Sequence, residues 1–359
     1  MPYPVSICII AKNEEKYIEE CLKRIMPYDM EVIVTDTGST DRTKEIALKY
    51  TDKVYDFTWI NDFSAARNFC AQKAKNNWIL AIDCDEYLES LDTKTLRMYM
   101  QKFPKLPGKI TVQNIAKRND GTLGYVDEQI LRFYNKNHYE FNYPIHENVT
   151  QKKNPSVVTD CFLAPIRVIH HGYNIPADEM KQKQLRNLAL LYQSLETHSD
   201  RSAYIHFQIG QSEQILGNME VAISHYQKCL DSQEDIHLPY MNSCLIQLAN
   251  AYAQNDQPQD ALYLLEQYKD TLKNARFIYT YALALLENGE TLKALMQFVL
   301  ITTLKDKELL GEDLMYCYQY IIKLYSLYGE EQLAGSFRQK YIELSSIRDN
   351  VLSQAKTQH

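Results

Sequence analysis

What this sequence lacks narrows its chemistry before any motif is read. It has no C-x-x-C pair: Cys8, Cys21, Cys70, Cys84, Cys161, Cys229, Cys244 and Cys317 are scattered through 359 residues. Such usage excludes a disulfide framework or a closely spaced zinc site and reads as reduced, mostly buried thiols of an intracellular protein. No apolar run approaches the ~20 residues needed to cross a bilayer, so no integral membrane segment is expected. The opening "MPYPVSICIIAKNEE" shows neither a basic n-region nor a small-residue cleavage site. No signal peptide is expected, and the expected location is the cytoplasm. Positive charge is not in excess either. The 39 Lys and Arg against 46 Asp and Glu leave −7, which argues against nucleic acid as a partner. No G-x-G-x-x-G follows a strand pattern and no G-K-[ST] occurs, so glycine loops do not cradle any phosphate handled here.

What is present is a large apolar content, 45% of residues, enough for two or three domains at ~150 residues each. The first half alternates strand and helix patterns. "VSICIIA" (Val5–Ala11) is a continuous apolar run, as expected of a strand buried on both faces. Asn13 is placed to cap a following helix over Glu14–Ile25, with Tyr17, Ile18, Cys21, Leu22 and Ile25 on one stripe. A second strand is predicted at Glu31–Thr35, then a turn at Gly38 and a helix opened by Ser39 or Thr40; a third strand follows at Lys53–Asp56. "NDFSAARNFCAQKAK" reads as helix and "WILAID" as the next buried strand. That order calls for a parallel sheet with helices on both faces. Beyond Asp85, two longer strands around Asn119-Asp120-Gly121 give a hairpin signal, and "CFLAPIRVIHHGY" is a further strand. The first domain is thus a parallel half joined to an antiparallel half, over residues 1–175.

A linking helix is expected over 176–198, and from 199 to 359 the pattern is amphipathic helix that repeats. Ala222, Ala261, Ala294 and Ala334 follow turn residues Gly217, Asp256, Gly289 and Gly329, at separations of 39, 33 and 40. Gly210, Ala249 and Ala282 stand twelve positions before three of them, with Ile322 breaking the rule in the last unit. Tyr226, Leu265, Phe298 and Arg338 come four positions after. Small residues at helix crossings, with large ones filling the next layer, are the logic of tetratricopeptide-like repeats, whose period is 34. Such arrays hold peptides or partner proteins, or support a homodimer.

In "LAIDCDEYLES" an apolar run leads into Asp83 and Asp85, two positions apart, which on a strand share one face. Two carboxylates so placed repel unless a positive group lies between them. Mg²⁺ or Mn²⁺ carrying a diphosphate would serve; a solvated strand-ending turn is the plainer reading of the tripeptide. Asp36 falls at the carboxyl edge of the second strand, where open α/β sheets bind ligands, and there it would accept the N3–H of a uracil or else cap the next helix. Arg67 would pair a diphosphate or be an ordinary helix arginine. Ala11, Asn13 and Glu14 occupy the same edge.

"VSICIIAKNEE", "VIVTDTGSTDRT", "DFSAARN" and "ILAIDCDEYL" stand in the order and spacing of family 2 glycosyltransferases with the GT-A fold. With "LRFYNKNHYEFNYPIHENV", "VIHHGY" and the helical repeats, the chain resembles the peptide S-glycosyltransferases of the glycocin (sublancin and enterocin) type. A lipopolysaccharide-core-type transferase is the more distant alternative. The resemblance implies a UDP-sugar donor, UDP-glucose first, and Mg²⁺ or Mn²⁺. It implies Asp36 on the uracil, Asp83 on ribose or metal, and Asp85 as principal metal ligand. Cys84 would lie within the donor motif, inert and on the opposite face. His170 would complete the metal site, though a packed strand-end histidine reads equally from the residue alone. Glu147, beside His146, would be the acceptor's general base, and the acceptor a Cys or Ser side chain of a peptide.

Overall fold

The computed structural model describes residues 3–117, 123–154, 160–171 and 177–356. The chain divides into two compact units, Met1–Ile175 and Pro176–His359.

Among the described residues the first unit has ten strands: β1 (Val5–Ala11), β2 (Glu31–Asp36), β3 (Val54–Asp56), β4 (Trp78–Ala81), β5 (Glu86–Leu91), β6 (Gly108–Lys117), β7 (Leu123–Asn135), β8 (Tyr139–Asn142), β9 (Asn148–Gln151) and β10 (Phe162–His170). Eight of them form one sheet in the order β3-β2-β1-β4-β7-β6-β10-β5, while β8 and β9 pair apart. β3, β2, β1 and β4 run parallel. β7 is antiparallel to β4 and to β6, and β10 is parallel to β6 and antiparallel to β5. This is the parallel-then-antiparallel GT-A-type architecture. Its helices are α1 (Ile18–Ile25), α2 (Thr43–Ala47), α3 (Phe63–Lys73) and α4 (Thr93–Lys102).

Strand alternation sorts the apolar runs to two faces. Val5, Ile7 and Ile9 of β1, Val32 and Val34 of β2, and Trp78 and Leu80 of β4 pack with Ile18, Leu22 and Ile25 of α1 and Leu96 of α4. Their neighbours Cys8, Ile33, Ile79 and Ala81 pack on the other face with Cys70 and Ala71 of α3. Continuous hydrophobicity therefore marks strands covered on both sides. Each such Ile or Leu contributes about 1.5–3 kcal/mol on burial. Register aligns the ends that matter: Ala11 lies beside Asp36 and Asp36 beside Asp56, while His170 lies between Asn114 and Glu86.

Three local expectations change. The first helix begins at Ile18, not Glu14, because Asn13 sits in the left-handed region at φ 57° and its side chain accepts from Thr40 N–H at 2.8 Å instead of capping. The helix after β2 begins at Thr43, with no side-chain cap from Ser39 or Thr40. The D-x-D pair is not on a strand: β4 ends at Ala81, and Glu86 N–H bonds Asp83 O at 3.1 Å across a turn. The Asn119-Asp120-Gly121 signal, Gly172 and Tyr173 lie outside the described residues, although β6 and β7 pair from Lys117 and Leu123 inward.

The second unit begins with α5 (Ala177–Thr197) and continues as four helix pairs among the described residues: α6 (Ser202–Ile215) with α7 (Met219–Leu230), α8 (Pro239–Gln254) with α9 (Pro258–Glu266), α10 (Ala275–Glu287) with α11 (Thr291–Ile301), and α12 (Asp313–Leu327) with α13 (Glu331–Lys356). This is a tetratricopeptide-type array. Ala222, Ala261, Ala294 and Ala334 are all buried, and Tyr226, Leu265 and Phe298 fill the adjoining layer. Arg338, the fourth member of that layer, is exposed. The turn before each alanine needs a left-handed residue; Gly217, Gly289 and Gly329 supply it at no steric cost, and Asp256 adopts it at φ 57°. At Gly210 an added Cβ would stand 2.5 Å from the Tyr226 ring, so helix approach there requires glycine.

Candidate active site

The carboxyl edge of the parallel strands gathers the polar residues of the first unit. Asp36 closes β2 and is 4% exposed. Its Oδ1 accepts from Gly38 N–H at 2.9 Å and Ser39 N–H at 2.8 Å, so it organises the β2–α2 loop and caps no helix. Its Oδ2 is buried and has no hydrogen-bond partner among the described residues. A buried carboxylate oxygen left unmatched costs about 1–3 kcal/mol and is poised for a donor. Alongside, Ala11 O receives Thr37 N–H at 2.9 Å, Asn13 N–H bonds Ser39 Oγ at 2.9 Å, and Glu14 N–H bonds Thr43 Oγ1 at 2.7 Å. The β1 and β2 loops are thereby tied into one rim.

At the end of β4 a chain of alternating charges crosses the sheet. Arg67, projecting from α3 and 6% exposed, donates Nε to Glu147 Oε1 at 2.6 Å and Nη2 to Asp83 Oδ1 at 2.7 Å. Arg132 of β7 donates Nη2 to Asp83 Oδ2 at 3.0 Å and lies 3.9 Å from Glu86 Oε1. Glu86 Oε2 in turn accepts Asp83 N–H at 2.9 Å. Burial opposes charge on Asp83, but Arg67 and Arg132 hold its carboxyl well below the usual range. Glu86 is pushed up, first by burial and then by Asp83. Arg67 stays firmly cationic because Asp83 and Glu147 outweigh its desolvation.

Asp85 faces the other way. His170 Nε2 lies 3.3 Å from Asp85 Oδ2, and His170 Nδ1 lies 2.7 Å from Asn114 Oδ1, an acceptor that places a proton on Nδ1 and turns Nε2 toward Asp85. Burial works against a charged imidazole, yet Asp85, then Glu86 and Asp83, raise its pKa above the ordinary value. His171 donates its backbone N–H to Asp85 O at 3.0 Å, and its ring packs against Tyr87.

The sequence-predicted residues therefore separate into groups. Arg67, Asp83 and Glu147 meet directly, and Asp85 and His170 meet beside them. Asp83 presents both oxygens to guanidinium N–H groups, Oδ1 to Arg67 and Oδ2 to Arg132, while Asp85 presents Oδ2 to His170. The positive partner of Asp83 is arginine. Cys84 is buried in the core with Sγ 3.6 Å from Ile10 O, and burial pushes its thiol well up, so only its backbone is available to a donor. His146, at φ 48°, and Tyr143, at φ 80°, bound the loop that delivers Glu147. Among the described residues no three His, Cys, Asp or Glu side chains form a metal-holding group. Asp85 and His170 nonetheless fit Mg²⁺ or Mn²⁺, which take few protein ligands when phosphates and waters complete the shell. Arg132, Glu86 and Asn114 also belong to the site: Glu86 lies within "ILAIDCDEYL" and Arg132 within "LRFYNKNHYEFNYPIHENV", but neither was singled out, and Asn114 lies in no quoted motif. The available signal was Arg132 beside Phe133 and Tyr134, both buried: a charge between such neighbours has to be paired.

Residues 6–171 match the family described as Glycosyl transferase family 2. The chain is 31% identical over 201 residues to a TPR repeat-containing protein of Synechococcus elongatus, covering 54% of this chain and 47% of that protein. It is 27% identical over 232 residues to the SPbeta prophage-derived glycosyltransferase SunS of Bacillus subtilis, covering 64% and 54%. It is 24% identical over 163 residues to the lipopolysaccharide core biosynthesis glycosyltransferase LpsC of Rhizobium meliloti, covering 42% and 58%. The chain spans about half the length of these curated relatives. No helix among the described residues is long and apolar enough to cross a membrane.

Proposed function

From a chain whose residues 6–171 are a glycosyl transferase family 2 domain, followed by tetratricopeptide-type repeats, we infer an inverting hexosyltransferase. It moves glucose from UDP-glucose to a Cys or Ser side chain of a bacteriocin precursor peptide. The observation that carries this reading is the carboxyl edge itself: at the end of β2 Asp36 has a buried unmatched oxygen that a uracil N3–H would fill, and after β4, across β1, Asp85 pairs with His170 where the diphosphate would lie. The 27% identity to the glycosyltransferase SunS supports glycosyl transfer; the peptide acceptor rests on the glycocin-type resemblance of the motifs and on the repeats, which would hold part of the peptide.

The residues divide the work. Asp36 and the tied β1–β2 rim, with Ala11, Asn13 and Glu14, hold the nucleoside. Arg67 faces the diphosphate, where negative charge grows as the bond to sugar C1 breaks. Asp85 and His170 would hold Mg²⁺ or Mn²⁺, which when bound supplies Lewis-acid stabilisation of the leaving nucleotide. Glu147 takes the acceptor's proton through Oε2, since Arg67 engages Oε1, with His146 beside it. A thiol of pKa ~8.5 depends on that base less than a serine hydroxyl does. Attack from the face opposite the nucleotide inverts the anomeric centre.

The test is purified protein with UDP-glucose, Mg²⁺ and a cysteine-containing precursor peptide, read as a hexose mass increase. Asp85→Ala is expected to abolish transfer with an unchanged circular dichroism spectrum. Full activity in that variant refutes the metal role, and no transfer across several UDP-sugars and peptides refutes the peptide reading. The relationship to LpsC favours a second reading, in which the acceptor is a saccharide or lipid-linked glycan. Transfer to such acceptors with peptides left unmodified would select it.

A further inference from the structure

Arg132, in "LRFYNKNHYEFNYPIHENV", was given no role by the sequence, yet β7 lies directly between β4 and β6 and brings its guanidinium to the D-x-D turn, onto the Asp83 oxygen that Arg67 leaves open. The two arginines share Asp83, each through Nη2. Each also keeps a buried Nη1 with no hydrogen-bond partner among the described residues. The Arg67 side chain is 6% exposed and that of Arg132 14%. An unmatched buried N–H costs roughly 1–3 kcal/mol, and here two occur on cations sharing one carboxylate. A ligand that relieves both must be anionic and present at least two acceptor oxygens on a narrow body. A diphosphate meets those terms, and a nucleoside alone does not.

We propose that Arg132 is a diphosphate-binding residue, acting with Arg67 as a two-arginine receptor whose free Nη1 groups take the phosphate oxygens of the donor. Asp83 is then the spacer of the pair, offering one carboxylate oxygen to each guanidinium group. The proposal rests on the UDP-sugar reading above and adds to it a second cation and a distinct task for Asp83.

The test is calorimetric binding of UDP and of uridine in EDTA, so that no divalent metal contributes, to the full chain and to Arg132→Met and Arg132→Lys. In the wild type UDP is expected to bind more tightly than uridine. Arg132→Met is expected to weaken UDP by roughly 10- to 100-fold while leaving uridine within about twofold, the value of one charge-assisted hydrogen bond. Arg132→Lys keeps the charge but not the fork and is expected to lose less, again on UDP only; it carries the test if the methionine variant does not fold. Equal weakening of UDP and uridine would show a structural role and overturn the proposal, as would no loss in either variant. Wild-type protein that binds neither ligand would overturn the UDP-sugar reading together with it. Wild-type selectivity for UDP that survives both substitutions overturns Arg132 alone.

Discussion

Adding one methyl group at Gly210 tests the packing of the repeats, because the same substitution elsewhere in the unit has the opposite sign. A Cβ at Gly210 would stand 2.5, 2.6 and 3.0 Å from Cε1, Cδ1 and Cζ of Tyr226. Carbon atoms pack at about 3.5–4.0 Å, so the ring has to retreat by roughly 1 Å. It cannot do so freely: Tyr226 is fully buried and its hydroxyl donates to Gln214 Oε1 at 2.8 Å. Overpacking of this kind costs about 1–3 kcal/mol, against about 0.8–1.0 kcal/mol gained by removing glycine from a helix. Gly210→Ala is therefore expected to destabilise the protein by up to about 2 kcal/mol. At Gly335 in α13 nothing lies within 4 Å of the added Cβ, so Gly335→Ala keeps the gain alone. Urea unfolding followed by far-ultraviolet circular dichroism should shift its midpoint down for the first variant and up for the second. Adding Tyr226→Leu to Gly210→Ala should remove the clash and recover part of the loss beyond simple additivity. A Gly210→Ala protein as stable as Gly335→Ala would refute the close approach of α6 and α7.

Asp256 occupies a turn position held by glycine in the other three repeats, at φ 57°. Asp256→Gly is expected to raise stability by about 0.5–1 kcal/mol in thermal melts, and a loss would refute the strain argument. In the repeats His206 Nδ1 and His225 Nδ1 lie 3.0 Å apart, with Tyr192 packed against His225. Burial, the neighbouring His206 and then Lys228 lower His225 to about 4, and burial and then Lys228 lower His206. The unfolded chain then binds protons first, so stability is complete above about pH 6.5 and falls as pH drops toward 4. Between pH 7.5 and 5.0 that shift is worth about 1–2 kcal/mol. Melts at pH 7.5 and 5.0 should show that fall in the wild type and a smaller one in His225→Gln; equal slopes would refute it.

The sheet was legible because strands covered on both faces leave uninterrupted apolar runs, and the repeats were legible because Ala222, Ala261, Ala294 and Ala334 recur where helices cross. Local geometry was read less well. Asn13 looks like a helix cap, but its own left-handed backbone and the Thr40 N–H claim it. Asp83 and Asp85 were assigned a common direction by strand alternation, and the strand ends two residues too early for that rule to apply. Arg132 and Asn114 were missed for another reason: each is defined by a partner brought close by sheet pairing, Arg132 by Asp83, 49 positions away, and Asn114 by His170, 56 positions away. A linear pattern carries no trace of that neighbour.

The run from Glu147 through Arg67, Asp83 and Arg132 to Glu86 has a consequence for anyone redesigning this site. Acceptor choice and donor choice are usually treated as separable modules, to be exchanged one loop at a time. Here the segment that would meet the incoming nucleophile and the turn that would meet the sugar nucleotide are the two ends of a single electrostatic truss. Grafting a foreign loop across residues 143–147 removes one strut and leaves Arg67 to rebalance against Asp83. On the reading proposed above, changing the acceptor loop would therefore also change the grip on the donor.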